Sequence, residues 1–155
     1  YNSGEINSVT IKDNLQNLLE PMGINLIPIA ITNISDIKSA FVRFQGRVDF
    51  VYLPLDNTVI SALDSIAKLA LKSKIPLVAN DPTLVEKNVL IGLGSNYYKS
   101  GEQLAEMIAI LEKGKTLDSR FQNGKHCELS INHSVADELK ITIPQEILND
   151  ERLIK

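Results

Sequence analysis

Short apolar runs rich in β-branched residues alternate along this chain with longer segments of helical periodicity. Five runs predict strands, over residues 24–31, 48–55, 75–79, 89–93 and 128–132. Strands that alternate with helices form right-handed βαβ crossovers and a mainly parallel sheet. Runs that are apolar at successive positions fit a sheet covered on both faces. We therefore predict an α/β fold with a doubly wound, mainly parallel sheet flanked by helices.

The intervening segments predict helices, and their apolar residues predict which faces are buried. The inward faces are expected over residues 11–22, 37–44, 60–70 and 104–111, the last formed by Leu104, Ala105, Ile108 and Leu111. A shorter helix over 134–139 is expected to have Ser134 as its N-cap. The first helix begins at about Asn7 without a preceding strand, so Tyr1-Asn2 is interpreted as the remnant of a missing first strand.

Composition excludes several classes of protein. The 155 residues suit one domain, and 44% hydrophobic with 23% charged residues is ordinary for a globular chain. A net charge of −3 without a basic cluster argues against nucleic-acid binding. His126, Cys127 and His133 do not have the arrangement of a structural zinc site. We predict neither a metal nor a cofactor.

Small polar residues follow every predicted strand. Ligands of open α/β sheets bind beyond the carboxyl ends of the strands, where this chain places hydroxyl, amide and carboxylate groups. Such groups suit a small zwitterion. Its carboxylate would accept hydrogen bonds from free N–H groups at helix N-termini and from the hydroxyls of Ser8 and Thr58. Its ammonium would donate to the carboxylate of Asp56 or Asp81.

A purely structural interpretation competes with this one. Asn7, Ser8, Asn57 and Asp81 are all good helix N-caps. Asp56 is harder to explain in that way, because Asn57 can fill the capping position. Glu5 is expected to be a solvated loop carboxylate. The binding interpretation therefore depends on the fact that all of these loops carry small polar side chains, and not on any single residue.

Several segments resemble one protein family in order and spacing. YNSGEINS at 1–8 resembles the "YNPGEANS" segment of the ABC-transporter substrate-binding family that includes tryptophan- and other aromatic-amino-acid-binding proteins. VYLPLDNTV at 51–59 is similar to its "IYVPTDNTV", and IPLVAND at 75–81 to its "IPLIASD". GSNYYKSG at 94–101 and ITIP at 141–144 resemble two further segments of that family.

The resemblance implies a two-lobed, type I periplasmic binding protein that closes on its ligand by hinge motion. Residues 1–155 would be its C-terminal lobe, with the N-terminal lobe and the first strand absent. Five residues match motif positions at the cleft and are expected to contact the ligand: Asn7, Ser8, Asp56, Asn57 and Asp81. Ser95 departs from the residue expected at its position.

The implied protein is not an enzyme and binds a small, amino-acid-like ligand, aromatic ligands included. Its implied partners are an ABC transporter permease and the N-terminal lobe, and its implied location is the periplasm or, as a lipoprotein, the outer face of a membrane. Two alternatives use the same fold: the sensor domain of a transcriptional regulator, and an enzyme with Asp56 and Asp81 as acid and base. A homodimer, formed through the exposed lobe or by strand exchange, is a further expectation.

Overall fold

A four-stranded sheet in the order β1-β2-β3-β4 organises the computed structural model, which describes residues 1–119 and 121–154. The strands are β1 Val51–Leu53, β2 Leu77–Ala79, β3 Ile91–Ser95 and β4 Cys127–Ile131. β1, β2 and β3 are mutually parallel, whereas β4 pairs antiparallel with β3. The predicted α/β class with a mainly parallel sheet flanked by helices is confirmed.

The helices are α1 Ile6–Leu19, α2 Ile37–Phe44, α3 Asn57–Ser61, α4 Leu63–Ser73, α5 Tyr97–Glu112, α6 His133–Leu139 and α7 Gln145–Leu148. Three 3₁₀ helices cover Glu20–Met22, Ile34–Asp36 and Pro82–Lys87. No helix in the described ranges has both the length and the apolar character needed to cross a membrane.

The main core lies where α2 and α4 cover β1 and β2. On α4, the buried residues Leu63, Ile66, Ala67 and Ala70 follow helical spacing, so one stripe of the helix faces the sheet. The predicted inner face over 60–70 is largely right, but Ala62 divides the segment into α3 and α4. A smaller cluster packs α6 against the start of β3. Asn132, not Ser134, is the N-cap of α6, so that part of the prediction is wrong.

The strand predicted over 24–31 is wrong as a regular element, although Ile29 and Ile31 are buried. Among the described residues, this segment makes strand-type pairs only with Tyr1 and Asn2. The Tyr1 N-terminus donates to the Ile29 carbonyl at 3.1 Å, and Ile31 N–H donates to the Tyr1 carbonyl at 2.9 Å. Asn2 and Ile31 form an isolated parallel bridge. A strand is defined by a ladder, and two residues are too short a partner to make one.

The inward face predicted for α5 is also wrong. Leu104, Ile108 and Leu111 are 56%, 49% and 53% exposed, and Gln103 is the buried residue of the helix. The cause is the antiparallel pairing of β4 with β3. A parallel crossover would return its helix across the sheet, whereas a connection between antiparallel strands is free to project from it. The alternation of strands and helices in the sequence did not reveal this reversal.

Close packing against β3 gives a first prediction. A Cβ on Gly92 would lie 2.4 Å from the Asp81 carbonyl oxygen, so Gly92→Ala must push apart β3 and the loop that carries Asp81. We expect a loss of about 1–3 kcal/mol in the free energy of unfolding, measured by urea denaturation. Gly101→Ala is the matched control in α5, where a Cβ meets no atom within 4 Å. This control should stabilise the chain by up to about 1 kcal/mol, and equal midpoints for the two variants would contradict the packing.

Candidate functional site

The carboxyl ends of β1 and β2 bring two polar loops to one edge of the sheet. Leu53 and Ala79 are register partners in the parallel pair, so the residues that follow them emerge side by side. The β1 loop carries Asp56 and the β2 loop carries Asp81. The segment before α1 joins this edge through a hydrogen bond from Asn2 N–H to Asp56.

Asp56 is the centre of the first cluster of polar groups. Its side chain is only 2% exposed, and it accepts three hydrogen bonds. Val59 N–H donates to Oδ1 at 2.7 Å, while Ser8 Oγ and Asn2 N–H donate to Oδ2 at 2.8 and 2.9 Å. Asp56 is thus the N-cap of α3, and the expectation that Asn57 caps this helix is wrong. Both carboxylate oxygens are occupied by the protein itself.

Glu5 is not the solvated carboxylate that we expected. Its Oε1 accepts from Asn2 Nδ2 at 3.0 Å, and its Oε2 accepts from Asn57 N–H and Asn57 Nδ2, both at 3.1 Å. Asn2 Nδ2 also donates to Thr58 Oγ1 at 2.8 Å. A carboxylate that accepts from the first amide of α3 satisfies an unpaired helical N–H and favours the positive end of the helix dipole. Glu5 therefore ties the N-terminus of α1 to that of α3.

The N-terminus of α1 has no side-chain cap among the described residues. Glu5 occupies the N-cap position but directs its carboxylate to α3, and neither Asn7 nor Ser8 is the cap. Asn7 Nδ2 instead donates to the Leu55 carbonyl at 3.1 Å, and Ser8 is fully buried beneath Asp56. Uncapped amides at a helix N-terminus attract an anionic group.

Asp81 is the centre of a second cluster. Its Oδ1 accepts from Thr83 N–H at 2.8 Å and from Thr83 Oγ1 at 2.7 Å, so Asp81 is the N-cap of the 3₁₀ helix Pro82–Lys87. This agrees with the structural interpretation of Asp81 as a helix N-cap. In the described part of the chain, its Oδ2 accepts a single, longer bond of 3.3 Å, from the Tyr97 hydroxyl. Burial, and secondarily the Asp81 charge, raises the pKa of Tyr97, so this hydroxyl stays protonated. The neighbouring Asn80 Oδ1 is buried without a hydrogen-bond partner in the described part of the chain.

The structure brings together four of the five predicted site residues. Asp56 bonds Ser8 directly, Asn57 is joined through Glu5, and Asn7 holds the same loop at Leu55. Asp81 stands apart, since no hydrogen bond within residues 1–119 and 121–154 links it to this cluster.

Sequence reasoning missed four residues of this edge: Asn2, Glu5, Asn80 and Tyr97. The available signal was that all four lie inside the segments that resemble the family motifs.

Within the described ranges, no three or more His, Cys, Asp or Glu side chains are grouped to hold an ion. Cys127 is exposed at the start of β4.

Comparisons with known proteins agree with the motifs. A profile of the family described as ABC transporter substrate binding protein matches residues 1–153. The tyrosine-binding protein of Clostridioides difficile is 27% identical over 151 residues, which is 97% of this chain and 43% of that protein.

Two solved structures share the fold. A substrate-binding protein with adhesive properties from Clostridium difficile, in its ligand-free, open structure, is 26% identical, with a TM-score of 0.82 over 100% of this chain and 52% of that one. An ABC domain from Streptococcus pneumonia in complex with L-Trp is 27% identical, with a TM-score of 0.78 over 99% and 53%. The chain thus spans about half the length of the relatives that it matches.

The Asp56 cluster makes a testable claim about stability. Asp56→Asn replaces one carboxylate oxygen with an NH₂ group that faces protein donors and leaves at least one of them unpaired. We expect a loss of about 1–3 kcal/mol in the free energy of unfolding, measured by chemical denaturation. Asp64→Asn is the control, since Asp64 is 73% exposed and pairs with Lys87 at 3.6 Å on the surface. Similar losses in both variants would show that the buried bonds contribute little.

In a polypeptide that begins at Tyr1, the Tyr1 ammonium gives the folded state a pH dependence. Burial lowers its pKa from the ordinary 8.0, although the charge of Asp56 opposes the shift. The unfolded chain therefore binds more protons between the lowered value and 8.0, so stability rises with pH across this window. We expect the free energy of unfolding of a chain beginning at Tyr1 to increase as the pH is raised towards 8.0. Nα-acetylation removes the titrating ammonium but keeps an N–H that can donate to the Ile29 carbonyl, so it should abolish this rise in stability with pH. An unchanged pH profile after acetylation would show that the Tyr1 ammonium is not its source.

Proposed function

The chain belongs to the ABC transporter substrate-binding protein family, and we propose that it forms the C-terminal ligand-binding lobe of the solute-binding component of an ABC importer. Its relatives are substrate-binding proteins, and like them this chain is a binding protein and not an enzyme. The acid–base alternative has no support in the geometry either, because both oxygens of Asp56 accept bonds from the protein. Family membership likewise favours transport over the sensor domain of a transcriptional regulator.

The ligand in this proposal is an amino acid whose two charged groups are held at different points of the sheet edge, the N-terminus of α1 and the loop after β2. One observation carries it: the uncapped N-terminus of α1 and the under-bonded acceptors at Asn80 and Asp81 share that edge. The α-carboxylate would accept from the amides of α1. The α-ammonium would donate to Asp81 Oδ2, giving a charge-assisted contact.

The five residues taken from the family motifs divide by role in this proposal. Asn7, Asn57 and Asp81 would contact the ligand. Ser8 and Asp56, which are buried and hydrogen bonded to each other, would instead support the loops that form the site. The sequence alone offered Asp56 and Asp81 equally for the ammonium. We now favour Asp81, because Asp56 is 2% exposed and fully hydrogen bonded.

An aromatic side chain on the ligand is the finer part of the proposal. One relative is named a tyrosine-binding protein, and one structural neighbour is a complex with L-Trp. Tyr97 is 60% exposed beside Asp81 and offers a ring against which an aromatic side chain can stack.

The remaining partners follow from the same proposal. A second, N-terminal lobe would close over the ligand by hinge motion, and the closed pair would deliver it to an ABC transporter permease. The protein would act in the periplasm, or as a lipoprotein on the outer face of a membrane. The proposal also includes a homodimer, formed through the exposed lobe or by strand exchange.

Isothermal titration of residues 1–155 with L-tyrosine, L-tryptophan and L-leucine tests the half-pocket. We expect weak or absent binding, since a lobe with part of the contacts loses about tenfold in affinity for each ~1.4 kcal/mol removed. Tight binding by this lobe alone would disprove the proposal that a second lobe completes the site.

Asp81→Asn in the two-lobed protein tests the ammonium contact. We expect at least about a tenfold loss of affinity for the amino acid, but little change for the same molecule without its amino group. Asp64→Asn serves as the control, because Asp64 is exposed on α4. Equal losses for both ligands would show that Asp81 acts through the fold and not on the ammonium.

A further inference from the structure

An exposed loop over residues 121–126 leads into β4. Within it Asn123 is followed by Gly124, and this is the one Asn-Gly pair in the sequence. Residues 121–126 are all exposed and form neither helix nor strand. Water therefore reaches this pair of residues, and no regular ladder of hydrogen bonds fixes the peptide between them.

An Asn side chain is open to attack by the backbone nitrogen of the residue that follows it. Glycine favours the attack, because it has no Cβ beside the nitrogen and adopts backbone conformations that other residues avoid. The Gly124 nitrogen would bond to Asn123 Cγ and lose its proton to water, while the Cγ–Nδ2 bond breaks and Nδ2 leaves as ammonia. Water then opens the five-membered imide at either carbonyl carbon. One opening gives an aspartate, and the other gives an isoaspartate whose main chain runs through the former side chain.

Gln103 of α5 holds the backbone on both sides of this pair. Its Nε2 donates to the Asn123 carbonyl at 3.1 Å, and its Oε1 accepts from Lys125 N–H at 3.1 Å. Gln103 is the buried residue of α5. A Cβ on Gly124 would lie 3.3 Å from Ser100 Oγ, so the loop lies directly against the helix. Both hydrogen bonds therefore depend on the normal length of the main chain between residues 123 and 125.

We propose that Asn123 is a site of spontaneous deamidation, and that its isoaspartyl product releases the 121–126 loop from Gln103. In that product the Asn123 carbonyl becomes part of a carboxylate that branches from the main chain, and Gly124 is attached through the former side chain. Gln103 then loses at least one of its two backbone partners, and a buried amide without a partner is costly. The aspartyl product keeps the normal main chain and both bonds.

Two other asparagines, Asn2 and Asn7, precede serine, and the structure holds both side chains. Asn2 Nδ2 donates to the side chains of Glu5 and Thr58. Asn7 Nδ2 donates to the Leu55 carbonyl, and Asn7 lies within α1, where helical backbone resists the rearrangement that an imide requires. These two residues are internal comparisons for Asn123 in the same sample.

Peptide mapping by mass spectrometry, after incubation of residues 1–155 in mildly alkaline buffer, tests the modification. We expect Asn123 to convert at least about tenfold faster than Asn7, and Gly124→Ala to slow the conversion of Asn123 by a similar factor. Asn123→Gln is the matched control, since its longer side chain cannot form the five-membered imide. Equal rates at Asn123 and Asn7 would overturn the proposal, and this comparison holds in the unmutated chain even if Gly124→Ala does not fold.

Amide hydrogen exchange tests the release from Gln103. We expect Lys125 N–H to exchange at least about tenfold faster in the isoaspartyl form, separated by chromatography, than in the unmodified chain. Asn123→Asp adds the same charge to a normal main chain and should keep the protection. The release is refuted by equal exchange in all three forms, or by an equal loss of protection in Asn123→Asp. Neither experiment involves a ligand, so its failure leaves the transport proposal unaffected.

Discussion

The buried carboxylate of Asp56 is the interaction on which the ligand edge depends. It joins three pieces of chain: the segment before α1, α1 itself through Ser8, and the first turn of α3. A carboxylate removed from water is tolerated only when its acceptor positions are filled, and Asp56 has three donors. The same requirement prevents Asp56 from serving as the main partner of a ligand cation.

Once Asp56 orders this edge, the remaining polar groups separate by function. Glu5 connects the N-termini of α1 and α3, which leaves the first amides of α1 without a side-chain cap. Asp81 and Asn80 retain acceptor capacity on the neighbouring loop. An edge with open amides at one point and open acceptors at another suits a zwitterion better than a simple anion or cation, and this supports the amino-acid proposal.

Much of the fold was predictable, because local patterns determine it. The apolar stripe of α4 and the buried β1 and β2 follow from periodicity alone. Two predictions failed where the deciding factor was a partner and not a pattern. In the described part of the chain, residues 24–31 form no regular strand because only Tyr1 and Asn2 pair with them in the manner of a strand. α5 is exposed because β4 runs antiparallel to β3.

The sequence by itself determined the class of fold, the family and the loops that meet at the ligand edge. Alternating runs predicted the parallel sheet, and motifs such as YNSGEINS and VYLPLDNTV predicted the family that the comparisons confirm. The tertiary structure alone decided which carboxylate is structural. Asn2 and Ser8, two of the donors to Asp56, lie 54 and 48 residues away from it in the chain. Hydrogen bonding at that separation depends on how the chain packs, so no local pattern could show that Asp56 is saturated while Asp81 retains an open oxygen.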